Sequence, residues 1–309
     1  MTRQVPELSL REFTSGDAAR RAAFAKQFSA GLREYGFIVL VDHNVPVDLL
    51  ERAYTQAAEV FALPEAVKRR YIGGLRGYTP FGTEHAKGNP NADLKEFWQI
   101  GHEPAPNAPA NEFSAPNRWP AEVAAFQSTF ERLFAALNDT GMILLRALAP
   151  SLGLDEGYFD PLVRRGDSVL RVLHYPPIAA DADPKRVRAA AHEDINLITI
   201  LVAAKGAGLE LLDRDGAWLP IVTEANQLVV DSGDMMARLT NNVVPATTHR
   251  VVNSDNPHVS RYSMPFFMHP TTETSLAALP TCLDNGVPES PITAGDFLRE
   301  RLKEIGLAS

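Results

Sequence analysis

The chain has 309 residues, 45% hydrophobic and 22% charged, with a formal net charge of −8 from 30 basic and 38 acidic side chains. That is the composition of a folded globular protein, and an acidic chain without a basic run lacks the charge signature of a nucleic-acid binder or of a polybasic membrane anchor. The single cysteine, Cys282, excludes an internal disulfide, no apolar stretch is long enough to cross a bilayer, and the opening MTRQVPELSL has no signal-peptide core, so a cytoplasmic location is expected.

Along the chain, Ala22, Ala25, Phe28 and Leu32 recur at helical spacing and predict a helix over Ala18 to Tyr35. The β-branched run Phe37 to Val41 predicts a strand, and Asp48 reads as the N-cap of a helix ending at Phe61. Residues 73–120 are rich in Gly, Pro and Asn and show little periodicity, which predicts a long ordered loop. Glu122 to Leu152 is helical again. From Ser168 onward short strands alternate with turns: Val169 to Tyr175, Asn196 to Val202, Leu209 to Leu212, Leu228 to Val230, His249 to Asn253 and Arg261 to Met268. Evenly spaced short strands of this kind predict a jelly roll, and a last helix runs from Ala294 to Ile305. The expected fold is mixed α and β in a single domain over 1–309. It divides into a mainly helical region 1–165, a jelly-roll core 166–270, and a C-terminal loop and helix 271–309.

Eight histidines are present, and most need no function. His192 and Asp194 stand two apart at the mouth of an apolar strand, so they would share a face, and a carboxylate beside buried strands requires a partner. His249, on another strand, would complete two histidines and one carboxylate, the facial set used by non-haem Fe(II) oxygenases. Arg261 and Ser263 share a face of the strand that continues Met264-Pro265-Phe266-Phe267-Met268. An Arg aimed into such a strand interior calls for an anion, and its planar fork suits a carboxylate.

With these residues in view, the chain resembles the isopenicillin N synthase-like branch of the Fe(II)/2-oxoglutarate-dependent oxygenases. The resemblance runs over almost the whole sequence: Tyr35 to His43, Phe61-Ala62-Leu63-Pro64 with Lys68, Asp93 to Trp98, Leu170 to Pro177, Gly208-Leu209-Glu210, Gly216-Ala217-Trp218, Gly233-Asp234-Met235 and Leu239-Thr240-Asn241. It implies a double-stranded β-helix core flanked by N-terminal and C-terminal helices. It implies that His192, Asp194 and His249 bind Fe(II), and that Arg261 and Ser263 hold the far carboxylate of the cosubstrate 2-oxoglutarate, with a hydrogen bond from Tyr175. Many plant members carry Asn two residues before that Tyr, where this chain has Leu173. The implied reaction couples O2 and 2-oxoglutarate to oxidation of a C–H bond of a small-molecule substrate, releasing succinate and CO2. Neither nucleic acid nor membrane is expected as a partner. A same-fold oxidase that does not use 2-oxoglutarate, and a non-catalytic jelly-roll binding module, stay open as alternatives.

Two placements are expected. The three candidate metal ligands converge at the mouth of the β core. Part of 73–120, near Tyr78 to Phe81 or Trp98, borders the open side of that site. His43, His85, His258 and His269 read as turn or loop residues, His102 as a surface residue, and Phe297 and Leu298 as packing.

Overall fold

The apolar runs form the strands and helices expected of them, with boundaries set by local chemistry. In this computed structural model, residues 4–85, 92–104, 113–178, 187–202, 208–224, 226–253 and 258–307 are described. The helix Ala18–Tyr35 begins at Asp17, whose side chain accepts from the Arg20 N–H, and ends at Gly36. Gly36 sits at φ +69°, a left-handed conformation glycine adopts freely, and turns the chain straight into the strand Phe37–Val41. The next helix is Val47–Phe61 with Pro46 at its N-cap, so Asp48 lies in its first turn rather than capping it. Proline without an N–H suits the start of a helix, and a carboxylate there still favours the positive end of the helix dipole. The long helix is Phe126–Leu148, shorter than the predicted Glu122 to Leu152 because its last turn tightens into a 3-10 segment, Ala149–Leu152.

Among the described residues two sheets face each other. The larger has nine strands in the order Glu7–Ser9, Phe37–Val41, Leu228–Ser232, Ile198–Val202, Arg261–Met268, Val169–Tyr175, Glu96–Gly101, Arg76–Thr79, Ile72–Gly73. Only the pairing of Glu7–Ser9 with Phe37–Val41 is parallel. The smaller has four, in the order Trp218–Pro220, Leu209–Leu212, His249–Val251, Ala189–His192. This is the double-stranded β-helix expected from the sequence. One expectation fails: 73–120 is not a plain loop, because Arg76–Thr79 and Glu96–Gly101 extend the large sheet. Glycine and asparagine around these strands hid a short alternating pattern within the segment.

Strand alternation sorts the side chains of the large sheet. Its outer face presents Leu170, Val172, Ile200, Val202, Met264 and Phe266 to the helices Val47–Phe61 and Phe126–Leu148, whose Leu49, Ala53, Phe130, Leu133 and Leu137 complete the main core. Each large apolar side chain removed from water there contributes about 1.5–3 kcal/mol. The inner face meets the small sheet through Phe37, Val229, Leu209, Leu211 and Val251.

Glu193 to Leu197 crosses from the small sheet to the large one, and the helix Asp234–Leu239 holds it there. The first amides of a helix have no partner within it. Here Asp234 N donates to the Asp194 carbonyl at 2.7 Å, Met235 N to those of Ile195 and Asn196 at 3.1 Å, and Gly233 N to that of Leu197 at 3.2 Å. The fit leaves no room: a Cβ on Gly233 would stand 2.5 Å from the Asn196 carbonyl oxygen and 2.6 Å from that of Asp194. Gly233→Ala should therefore destabilise the protein by about 1–3 kcal/mol, the usual cost of overpacking against backbone. Urea unfolding of parent and variant measures it, and an unchanged midpoint would show that the crossing segment yields freely.

Candidate metal and cosubstrate site

His192 is the last residue of Ala189–His192, and His249 stands directly opposite it as the first residue of His249–Val251. Asp194 is not on a strand with His192, as the spacing had suggested; it lies in the crossing segment, and the turn rather than strand alternation brings its carboxylate round. The three side chains still converge. Their candidate ligand atoms lie within 4.8 Å of one another, and Asp194 Oδ1 is 3.8 Å from Nε2 of each histidine.

Each ring is oriented by its own backbone. His192 Nδ1 donates to the Ala190 carbonyl at 2.7 Å and His249 Nδ1 to the Thr247 carbonyl at 3.1 Å, leaving both Nε2 lone pairs toward Asp194. Thr199 Oγ1 donates to the other carboxylate oxygen, Asp194 Oδ2, and Asn196 Nδ2 donates to Thr199 Oγ1 at 2.9 Å. Burial and the neighbouring His249 push the His192 imidazole down to about 4, so it is neutral at pH 7. Burial alone would raise Asp194, but His249, His192 and Thr199 outweigh it and hold the carboxyl below its ordinary range. Two imidazoles and one carboxylate are a donor set for a divalent first-row metal with open positions. Asp231 carries no signal in the sequence, yet its buried carboxyl is raised well above its ordinary value by burial and by the charge of Asp194.

Further along the inner face, Arg261 pairs across the strands with Tyr175, and its guanidinium carbon is 5.2 Å from the tyrosine ring centroid. Ser263 lies opposite Leu173 on the same face. Arg261 is 3% exposed, yet its Nε and Nη1 have no hydrogen-bond partner among the described residues. Two neighbours escape a reading of the sequence. The buried Arg188 has its guanidinium lowered by burial and then by the charge of Arg261. The Tyr54 hydroxyl is raised by burial, although Arg261 opposes this, and it donates to the Val202 carbonyl at 3.4 Å. Tyr54 lies on the helix Val47–Phe61 and Arg188 just before the strand Ala189–His192, positions ordinary in sequence, so only the packing reveals them.

A cavity of about 440 Å³ opens beside His192 and Asp194. Segment 73–120 does border it, through Leu75, Arg76, Glu84, His85, Lys95 and Gln99. The aromatics expected there do not. Tyr78 and Trp98 occupy alternate positions that face the helices, with Trp98 against Phe126, and Phe81 is largely exposed. His269 is a loop residue, as expected, and is buried in the cavity wall; His85 and Leu298 also line it. His102 packs edge-on against Phe134 rather than lying free on the surface.

The wall carries a compensated charge cluster. Arg171 Nη1 donates to Glu84 at 3.0 and 3.1 Å, and Lys95 Nζ lies 2.8 Å from Glu84 and 2.9 Å from Asp93. Burial would raise Glu84, but Arg171 and Lys95 overcome it and bring the carboxyl down to about 2.

Two family models match the chain: "non-haem dioxygenase in morphine synthesis N-terminal" over residues 5–122 and "2OG-Fe(II) oxygenase superfamily" over residues 166–270. The 2-oxoglutarate-Fe(II) type oxidoreductase hxnY of Emericella nidulans is 31% identical, covering 97% of this chain and 89% of its own length. A 2OG-Fe(II) oxygenase family protein from Caulobacter crescentus superposes with a TM-score of 0.86 at 42% identity, covering 98% of this chain and 99% of that one. A full-length Neurospora crassa protein in complex with alpha-KG gives 0.85 at 30% identity, over 96% and 95% of the two chains. A further structure of that Neurospora protein contains alpha-KG and thymine, with a TM-score of 0.86 at 29% identity over 97% and 96%.

Because the Glu84 carboxyl is lowered on folding, its contribution is fully present above its ordinary value of 4.5 and is lost as pH falls toward 2. Glu84→Gln should remove that part of the acid sensitivity. It should also cost about 3–5 kcal/mol at pH 7, because Arg171 and Lys95 lose a buried counter-charge. Urea unfolding at pH 7 and at about pH 3 checks both; a variant as stable as the parent at pH 7 would show that Asp93 alone compensates the two cations.

Proposed function

The chain belongs to the Fe(II)/2-oxoglutarate-dependent oxygenases, and from that premise we propose that His192, Asp194 and His249 hold the iron while Arg261, Ser263 and Tyr175 hold 2-oxoglutarate. Iron and 2-oxoglutarate, when bound, supply the oxidising chemistry, in which O2 is consumed, the cosubstrate is decarboxylated to succinate and CO2, and a substrate C–H bond is oxidised. The observation that carries the cosubstrate assignment is the Arg261 guanidinium, almost wholly buried with two nitrogens unpartnered among the described residues. A buried cation without an anion is costly, and a ligand carboxylate would supply both the charge and the acceptors.

The residues divide the work. The Ala190 and Thr247 carbonyls fix the two imidazoles, and Thr199 fixes the carboxylate, so three donors are held in place before any metal arrives. Arg261 offers a bidentate fork, Ser263 a hydroxyl, and the Tyr175 ring a face against the guanidinium. Leu173 adds no polar contact; it packs with Phe97 and Tyr175 and keeps this end of the site apolar, which strengthens the ion pair by excluding water. The prime substrate is a small molecule: the cavity has the volume of a small-molecule site, and the related Neurospora protein was captured with thymine.

Arg261→Leu tests the cosubstrate site. Losing one partner of a buried charge pair costs about 2–5 kcal/mol, so 2-oxoglutarate binding should weaken by roughly 30-fold to a few thousand-fold. Fe(II) binding should hold, since no metal donor is touched, and Arg261→Lys should recover only part of the loss because a point charge replaces a planar fork. Calorimetric titration of the Fe(II)-loaded proteins under argon reads all three. Unchanged affinity in Arg261→Leu would place the cosubstrate elsewhere and favour an oxidase that does not use it.

A further inference from the structure

The cavity wall beside the three candidate metal ligands carries polar nitrogens that the foregoing assignments leave unused. Gln99, His269 and Arg76 all line it and are only 4, 7 and 2% exposed. Gln99 Nε2, His269 Nε2, Arg76 Nε and the Nε of the neighbouring Arg171 have no hydrogen-bond partner among the described residues. Buried polar atoms are nearly always satisfied, so a wall with four that are not calls for a ligand or ordered water.

The chemistry of each atom follows from its neighbours. Arg171 Nη2 can only donate, and it lies 3.2 Å from Gln99 Oε1. That contact fixes the amide orientation and leaves Gln99 Nε2 as a donor. His269 Nδ1 lies 3.3 Å from the Phe267 carbonyl, which can only accept, so Nδ1 carries the proton. Burial pushes this imidazole down to about 4, so at pH 7 it is neutral and its Nε2 is an acceptor. The two Arg Nε atoms are donors. The groups belong to one neighbourhood: the charges of Asp194, Arg76 and Arg171 all act on His269. The Arg76 guanidinium also packs over Gly101, where a Cβ would stand 2.2 Å from Nη2. Gly101 is two residues from Gln99 on the same strand and pairs with Val169, itself paired with Phe267.

Several donors around one acceptor suit a ligand rich in carbonyl oxygens with one hydrogen to give. Carboxylates outnumber guanidinium and ammonium groups along this wall, which disfavours an anion. We propose that the cavity takes a neutral molecule with an amide, lactam or imide edge, its carbonyl oxygen accepting from Gln99 Nε2 and its N–H donating to His269 Nε2. Gln99 and His269 then determine specificity for the prime substrate of the iron site assigned above, on which this inference rests. A site built to hydrogen-bond a group rejects analogues lacking it, because its own buried atoms are left unpaired.

The test is calorimetric titration of the protein loaded with Fe(II) and 2-oxoglutarate, under argon, with 2-piperidone and glutarimide. The comparison probes are their N-methyl derivatives and δ-valerolactone. The N–H probes should bind at least about tenfold more tightly than the others. His269→Phe should abolish the preference for N–H over N-methyl. Gln99→Glu, which keeps the acceptor for Arg171 but removes the donor, should weaken both N–H probes by a similar factor and carries the test if His269→Phe does not fold. Both variants should bind 2-oxoglutarate as the parent does. Equal affinity for N–H and N-methyl probes, no binding of the N–H probes at millimolar concentration, or a preference untouched in the variants overturns the proposal. If the parent itself fails to bind 2-oxoglutarate, the cosubstrate assignment falls instead, and the edge preference is read on the Fe(II)-loaded protein alone.

Discussion

The backbone contact between the Asp194 segment and the helix Asp234–Leu239 is the constraint from which the site follows. The chain leaves the small sheet at His192 and enters the large sheet at Ile198. Between them its carbonyls would be orphaned in a crowded region between two sheets. The helix start has the complementary deficit, amides without acceptors, and the two deficits cancel. Gly233 permits the approach, since any larger residue would meet two carbonyl oxygens. Asp194 is thereby fixed relative to both sheets, and the pairing of His249 with His192 places the second imidazole without further machinery.

A second regularity concerns buried charge at the inner face of the large sheet, from Arg171 on its strand Val169–Tyr175 and from residues outside its strands. Glu84, Asp93, Lys95 and Arg171 are all buried or nearly so and compensate one another through short contacts. This cluster can be permanent because it is close to neutral and hydrogen-bonded. Arg261, on the same face, has Tyr175 beside it and a second guanidinium, Arg188, whose charge opposes its own. The difference in compensation separates a structural cluster from a binding group more clearly than burial does, since both are buried to a similar degree.

Much of this is legible in the sequence where one physical signal dominates. Val169–Tyr175, Leu209–Leu212 and Arg261–Met268 are dense in apolar, β-branched and aromatic residues, and their limits in the structure match those expected. The triad is found by residue type, although two positions on one strand face, the reason the spacing offers, is not the geometry that operates. The misses share a cause. Arg76–Thr79 and Glu96–Gly101 hold glycine, arginine and glutamine where a strand pattern expects apolar residues, because one of their faces lines a polar cavity. Periodicity reports burial against apolar neighbours, so a strand with a functional face reads as a loop. For the same reason His269, a loop residue just past an apolar strand, gives no sign of its buried place in the cavity wall, and Tyr54 and Arg188 give no signal at all.

Alternation also explains why the aromatic residues Tyr78 and Trp98, the obvious candidates to roof the site, are the wrong ones. Along Glu96–Gly101, Trp98 and Ile100 face the helices while Phe97 and Gln99 face inward. The large aromatics are needed on the helix side, where Trp98 packs against Tyr71, Tyr78 and Phe126 and donates its Nε1–H to the Arg118 carbonyl at 2.9 Å. That packing holds the strand rigid from behind. Gln99, which it presents on the opposite face, and Lys95 just before it are residues that composition would assign to solvent. One strand thus meets two demands that compete in any sequence: apolar bulk to anchor the sheet, and fixed polar atoms to meet a ligand. The period of two keeps them apart, so a chemical reading of this region has to follow the face rather than the run of residues.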